Sequence, residues 1–126
     1  MQGLHLTADL YQCQCDATGL SDAARLLAHC VAAATGAGLQ VVNQLGHRFP
    51  DTAHGPGGVT ATVLLAESHL CVHTWPEQRA VTLDVYVCNY GADHSAWAQR
   101  LLDELATWFA PQHSERNRLQ RGAVSA

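Results

Sequence analysis

Between Val59 and Cys88 the chain carries three apolar-rich runs, Val59 to Ala66, His69 to Trp75 and Ala80 to Cys88, the last two divided by Pro76. Side chains alternate across an extended backbone, so runs of this length predict consecutive antiparallel strands. In the second run Leu70 and Val72 share one face, while His69, Cys71, His73 and Trp75 share the other. In the third, Val81, Leu83, Val85 and Val87 oppose Thr82, Asp84, Tyr86 and Cys88. Each strand therefore offers an apolar face for helices to cover and a second face bearing titratable groups. If the strands are neighbours, those groups gather on one side of a sheet. There they are solvated, buried in a dimer contact, or used for chemistry.

The flanking segments predict what packs on that sheet. Residues 2 to 11 alternate from Leu4 onward as a strand, with Leu4, Leu6 and Ala8 on one side, and a short polar loop follows. From Ser21 or Asp22 as N-cap, Leu26, Leu27, Cys30, Val31 and Ala34 recur at helical spacing until Gly36 and Gly38 stop the pattern. Leu39 to Gly46 reads as a strand, and Pro50 to Gly58, with two prolines and three glycines, as a loop. A second helix runs from about Ser95 to Ala110, where Leu101, Leu102, Leu105, Trp108 and Phe109 form a docking stripe. The segment after Pro111 is polar and gives little periodic signal. These elements predict an α+β two-layer domain, an antiparallel sheet with both helices on one face.

A chain of 126 residues, 48% hydrophobic, suits one core and hence a single domain over 1–126. Net charge of −4 with scattered Lys and Arg gives no basic field, so nucleic acid is not an expected partner. No secretory leader and no apolar run of about 18 residues is visible, so a soluble, cytoplasmic protein without membrane contact is expected. The odd set Cys13, Cys15, Cys30, Cys71 and Cys88 points to free thiols rather than a disulfide framework.

The segment from Ala66 to Glu77, Ala-Glu-Ser-His-Leu-Cys-Val-His-Thr-Trp-Pro-Glu, sets Ser68 among histidines, with Cys88 twenty residues further on. Taken singly, Ser68 is an ordinary turn hydroxyl and Cys88 a small buried hydrophobe. His69, Cys71 and His73 on one strand face could alternatively bind zinc, because imidazole and thiolate are natural zinc ligands.

Together with His5-Leu6, Asp9-Leu10-Tyr11, Cys13, His47-Arg48-Phe49, Gly58-Val59-Thr60, Asp84-Val85-Tyr86 and Arg121-Gly122, this segment resembles the prokaryotic pyruvoyl-dependent S-adenosylmethionine decarboxylases. The resemblance spans nearly the whole chain, and its specific part is Glu67-Ser68-His69 followed by His73-Thr74-Trp75-Pro76-Glu77.

That resemblance implies a proenzyme. Ser68 would attack the carbonyl of Glu67, turning amide into ester, and elimination would cut the chain into 1–67 and 68–126 with a self-derived pyruvoyl cofactor at position 68. It assigns His73 to proton removal during processing, Thr60 to the place of an assisting serine hydroxyl, and Cys88 to protonation of the decarboxylated substrate. The pyruvoyl ketone would bind the substrate amine as a Schiff base and accept electrons as carbon dioxide leaves. Phe49 would lie near the substrate's adenine, and no metal is implied. The product would be the aminopropyl donor for spermidine synthesis, made by a homodimer in an αββα arrangement with active sites across the contact.

Three departures stand near the chemistry: Thr60 replaces serine, the loop from Pro50 to Gly57 is longer, and Val87 and Asn89 flank Cys88 where Thr and Gly are common. They leave two other readings. One is a pyruvoyl enzyme acting on L-ornithine or L-arginine; the other is a relative that neither cleaves nor catalyses.

Overall fold

The computed structural model describes residues 1–122; positions 123–126, the end of the expected 68–126 chain, lie outside the described residues. The elements in chain order are β1 (Gln2–Cys13), α1 (Thr18–Ser21), α2 (Ala23–Gly36), β2 (Val41–Arg48), β3 (Val59–Leu65), β4 (Ser68–Trp75), β5 (Ala80–Cys88), α3 (Ser95–Phe109) and β6 (Pro111–Gly122). One six-stranded sheet has the order β2-β3-β4-β5-β1-β6, and every pairing is antiparallel. No helix among the described residues is long and apolar enough to cross a membrane.

Parity decides which face is covered. Leu4, Leu6, Ala8 and Leu10 of β1, Val59, Ala61, Val63 and Leu65 of β3, Leu70 and Val72 of β4, and Val81, Leu83, Val85 and Val87 of β5 are all buried. They join Leu26, Cys30 and Ala34 of α2 and Leu101, Leu102, Leu105 and Phe109 of α3 in one apolar cluster. Both longer helices thus lie on one face, α2 against β2 and β3 and α3 against β1 and β5. Each fully buried leucine removes enough apolar surface from water to contribute roughly 1.5–3 kcal/mol. The helix starts where its cap predicts, with the Asp22 carboxylate accepting from Arg25 N at 3.1 Å.

The opposite face stays open. Its rows run His69–Tyr86–His5–Leu119 and Cys71–Asp84–Thr7–Asn117 across β4, β5, β1 and β6. Apolar groups are exposed there too, Leu45 at 71%, Leu64 at 46% and Leu119 at 55%.

The segment after Pro111 differs most from its sequence reading. It forms β6, pairing with β1 from Gln2↔Gly122 to Cys13↔Pro111. Nearly all its side chains are exposed, so no alternation of apolar and polar residues marks it, and backbone pairing to β1 holds it. Its Arg116, Arg118 and Arg121 put charge on an outer strand, which discourages further edge pairing. The polar loop after β1 also contains the one-turn helix α1, too short for periodicity to reveal.

All five cysteines are free. Burial pushes the Cys13 thiol up to about 11 and Cys30 to about 12, as suits inert packing groups.

Candidate active site

At one end of β4, Leu65 pairs with Ser68 across the two-residue turn Ala66-Glu67. Glu67 has φ 56°, a left-handed conformation that costs an L-residue about 1–2 kcal/mol. The peptide bond after this strained residue leads into Ser68, whose Oγ accepts a hydrogen bond from Cys88 N at 3.1 Å. That contact follows from register, since His69 opposite Tyr86 brings Ser68 level with the end of β5. The Cys88 carbonyl in turn accepts from His94 Nδ1 at 3.0 Å, and the Asn89 side chain accepts from His94 N at 2.9 Å. Asn89 also donates to Ser95 Oγ at 3.3 Å, tying the strand end to the start of α3. His94 and Asn89 had no expected duty; the Asn and His flanking a helix start are the signal that could have found them.

A second group sits at the other end of β4. Thr60 pairs with His73, and Thr60 Oγ1 lies 2.9 Å from His73 Nδ1. A cavity of about 510 Å³ opens beside them, lined among others by Phe49, His54, Thr60, His73, Trp75 and Glu77. Close backbone approach shapes it: a Cβ on Gly57 would fall 1.9 Å from the Phe49 carbonyl oxygen, and one on Gly58 2.1 Å from that of Thr74. The Asp51 carboxylate braces the loop by accepting from Gly57 N at 3.0 Å and Arg48 Nη2 at 2.6 Å. Those two bonds, Gly57 first, hold its pKa below the usual carboxylate range. Thr74 is buried beneath, its Oγ1 accepting from Val59 N at 2.8 Å and donating to the Leu20 carbonyl at 2.6 Å. His54 reaches the cavity from the lengthened loop, a placement no periodicity could signal.

Ser68 is therefore joined to Cys88, Thr60 to His73, and Phe49 to the second group. The two groups do not meet within a protomer. His73 lies five residues along β4 from Ser68, about 17 Å at the rise of a strand, and on the opposite face by parity.

Between them, on the open face, lies a hydrogen-bonded chain. Asp84 Oδ2 accepts from His5 Nε2 at 2.9 Å and from His69 Nε2 at 3.1 Å. Arg121 Nη1 donates to His5 Nδ1 at 3.0 Å. Tyr86 is enclosed by His5, His69 and Arg121, with the His69 ring stacked at 5.7 Å. The alternative zinc set on β4 is not assembled: Cys71 Sγ lies 3.7 Å from Thr62 Oγ1, His73 Nδ1 lies 2.9 Å from Thr60 Oγ1, and among the described residues the three do not bring ligand atoms together. His5, His69 and Asp84 do bring ligand atoms within 4.8 Å of one another. A metal-bound imidazole needs an acceptor for its other N–H, however, and Arg121 offers His5 only a donor. The trio suits hydrogen bonding better than metal.

A family model described as S-adenosylmethionine decarboxylase matches residues 4–122. An S-adenosylmethionine decarboxylase proenzyme from a Synechococcus species is 40% identical over 105 residues, which cover 83% of this chain and 77% of that protein. Another proenzyme of that description, from a Hydrogenobaculum species, is 34% identical over 122 residues, 97% of this chain and 83% of its own. The crystal structure of the adenosylmethionine decarboxylase from Aquifex aeolicus is similar with a TM-score of 0.83 and 32% identity, covering 98% of this chain and 92% of that one.

Proposed function

The chain belongs to the S-adenosylmethionine decarboxylase family, and from that premise we propose that it is a self-processing decarboxylase that cuts itself between Glu67 and Ser68. Its reaction is the decarboxylation of S-adenosylmethionine. The observation that carries the processing step is the left-handed Glu67 ahead of a Ser68 hydroxyl held on Cys88 N. Strain at the scissile residue is relieved when the amide becomes an ester, and a backbone N–H stands beside the oxygen that must be positioned. Ser68 Oγ attacks the Glu67 carbonyl, its proton passes to a base, and the carbon–nitrogen bond breaks. Elimination across the serine then frees the Glu67 carboxylate, and hydrolysis releases ammonia.

The resulting pyruvoyl group at position 68 supplies a ketone for the substrate amine and an electron sink for carboxylate loss. Cys88, adjoining Ser68 through its backbone, holds the thiol assigned to return a proton to the substrate carbon. Phe49 and Trp75 line the 510 Å³ cavity, and a purine and a sulfonium cation both gain from aromatic neighbours.

The separation of the two groups supports an active site made by two copies. In a two-fold, sheet-to-sheet dimer, the Cys88 side chain and the residue-68 end of β4 in one protomer would approach Thr60 and His73 of the partner subunit, and the exposed Leu45, Leu64 and Leu119 would be covered. His73 is then the base for the partner's ester breakdown, oriented by Thr60.

Intact-mass measurement of freshly purified protein tests this reading. Two species corresponding to 1–67 and 68–126 are expected, the second ending in a carbonyl that hydride reduction traps with an amine. Labelled S-adenosylmethionine should release carbon dioxide, and L-ornithine or L-arginine should not. Full-length species alone would overturn self-processing; turnover of an amino acid instead would overturn the substrate.

A further inference from the structure

Both backbone polar groups of Cys88 are held by side chains. Its successor Asn89 donates a backbone N–H to the Gln2 carbonyl at 2.8 Å, on the β1 side. Consecutive residues of a strand address opposite partners, so the N–H and C=O of Cys88 both point toward β4. Continued by two positions on each strand, the β4–β5 register would set Glu67 opposite Cys88, but pairing stops at His69 and Tyr86, and Glu67 is left-handed. Two side chains take the places that a regular ladder would give to Glu67. Ser68 Oγ accepts from Cys88 N at 3.1 Å, and His94 Nδ1 donates to the Cys88 carbonyl at 3.0 Å. A carbonyl only accepts, so Nδ1 carries a hydrogen whether the ring is neutral or charged. The His94 residue is itself fixed, its backbone N–H donating to Asn89 Oδ1 at 2.9 Å and its ring stacking on Trp97 at 5.1 Å. A glycine, common at position 89 among the proteins this chain resembles, could not supply that acceptor.

We propose that His94 is a positioning residue for self-processing: by clamping the Cys88 carbonyl it keeps Glu67 out of the ladder and leaves the Cys88 amide to Ser68 Oγ. The inference rests on the reading of the preceding subsection and gives a duty to a residue which that reading leaves idle. Without the imidazole N–H, the Cys88 carbonyl becomes an unpaired acceptor on the side where the register would bring Glu67. Closing that ladder pair exchanges two bonds, Glu67 N–H to the Cys88 carbonyl and Cys88 N–H to the Glu67 carbonyl. The second of these takes the amide away from Ser68 Oγ and draws the turn into regular pairing. His94 therefore acts through the Cys88 backbone, not on the reacting atoms. The clamp needs only the hydrogen on Nδ1, so it holds in either protonation state of the ring.

Cleavage timed by intact mass after refolding decides the matter. His94→Asn keeps an N–H donor one bond beyond the same side-chain carbon, and it should cleave within about threefold of the wild-type rate. His94→Asp has the same size and suits the start of a helix as an N-cap, but its carboxylate only accepts. It should cleave about tenfold more slowly, as should His94→Ala. A role confined to packing on Trp97 would slow His94→Asn as much as the other two. His94→Asp or His94→Ala cleaving at the wild-type rate, or His94→Asn no faster than His94→Ala, would overturn the assignment. Nitrogen-15 histidine spectra of the wild-type protein test the clamp even if no variant folds: His94 should carry a hydrogen on Nδ1, and an Nδ1 without one would overturn it. Wild-type protein that never cleaves would overturn the proposed function and this role with it, whereas wild type that cleaves no faster than His94→Asp would overturn this role alone.

Discussion

The two ends of β4 are built from the same strand and do opposite things. At the Ser68 end the backbone is tight and strained, with Glu67 left-handed and Ser68 bound to the Cys88 amide. Toward Trp75 the backbone is regular and a cavity opens, lined by aromatic and titratable side chains. On the proposed reading, strain suits the bond that is cut and an open pocket suits the molecule that is bound. Opposite parity and five residues of rise keep them apart within one protomer, and the proposed two-fold contact would join them by turning one copy end-for-end.

The largest way to break this comparison removes one end altogether. Ser68→Ala should abolish cleavage and leave a 13.5 kDa band in denaturing gels. His73→Ala should also remain uncleaved by itself, yet its chain should be cut when co-refolded with the Ser68→Ala chain, since the mixed dimer unites an intact Ser68 with an intact His73. Absence of cleavage in that mixture would place the whole site within one protomer. A smaller effect is expected from Cys88→Ala, which keeps the backbone N–H that holds Ser68. Cleavage should persist while decarboxylation falls by about 10²–10⁴, read from carbon dioxide release per cleaved chain.

Thr74→Val sharpens the other end. It strands the Val59 amide and the Leu20 carbonyl that Thr74 now satisfies, so denaturant melts should show a loss of about 1–3 kcal/mol with cavity-dependent turnover weakened. The smallest effect lies away from both ends. His29 is stacked on Trp108, its Nε2 makes no hydrogen bond and lies 4.0 Å from the Glu104 carboxylate, and burial outweighs that carboxylate to lower its pKa below the ordinary 6.5. Below pH 6.5 the unfolded chain binds this proton more readily than the fold does, so stability falls as pH drops from 6.5 toward the lower folded value. His29→Leu should flatten that slope in melts taken across the window.

Much of this was legible along the chain because strand parity is local. Alternation alone separated Leu70 and Val72 from His69, Cys71 and His73, and the Asp22 cap marked the start of α2. β6 was not legible, because a strand solvated on both faces carries no alternation and is held by pairing with residues more than 100 positions away, as in His5↔Leu119. The hydrogen-bonded chain through Asp84 was hidden for the same reason: Arg121 and His5 are 116 positions apart.

By itself the sequence determined an α+β sheet with one dry face, and the spacing of Ser68, His73 and Cys88 within it. Only the tertiary structure decided that Ser68 keeps company with Cys88 and His73 with Thr60, at opposite ends of one strand. Periodicity reports the face a side chain occupies, which depends on its immediate neighbours. Proximity depends on register between strands distant in the chain, and that is set when the sheet assembles over its shared core.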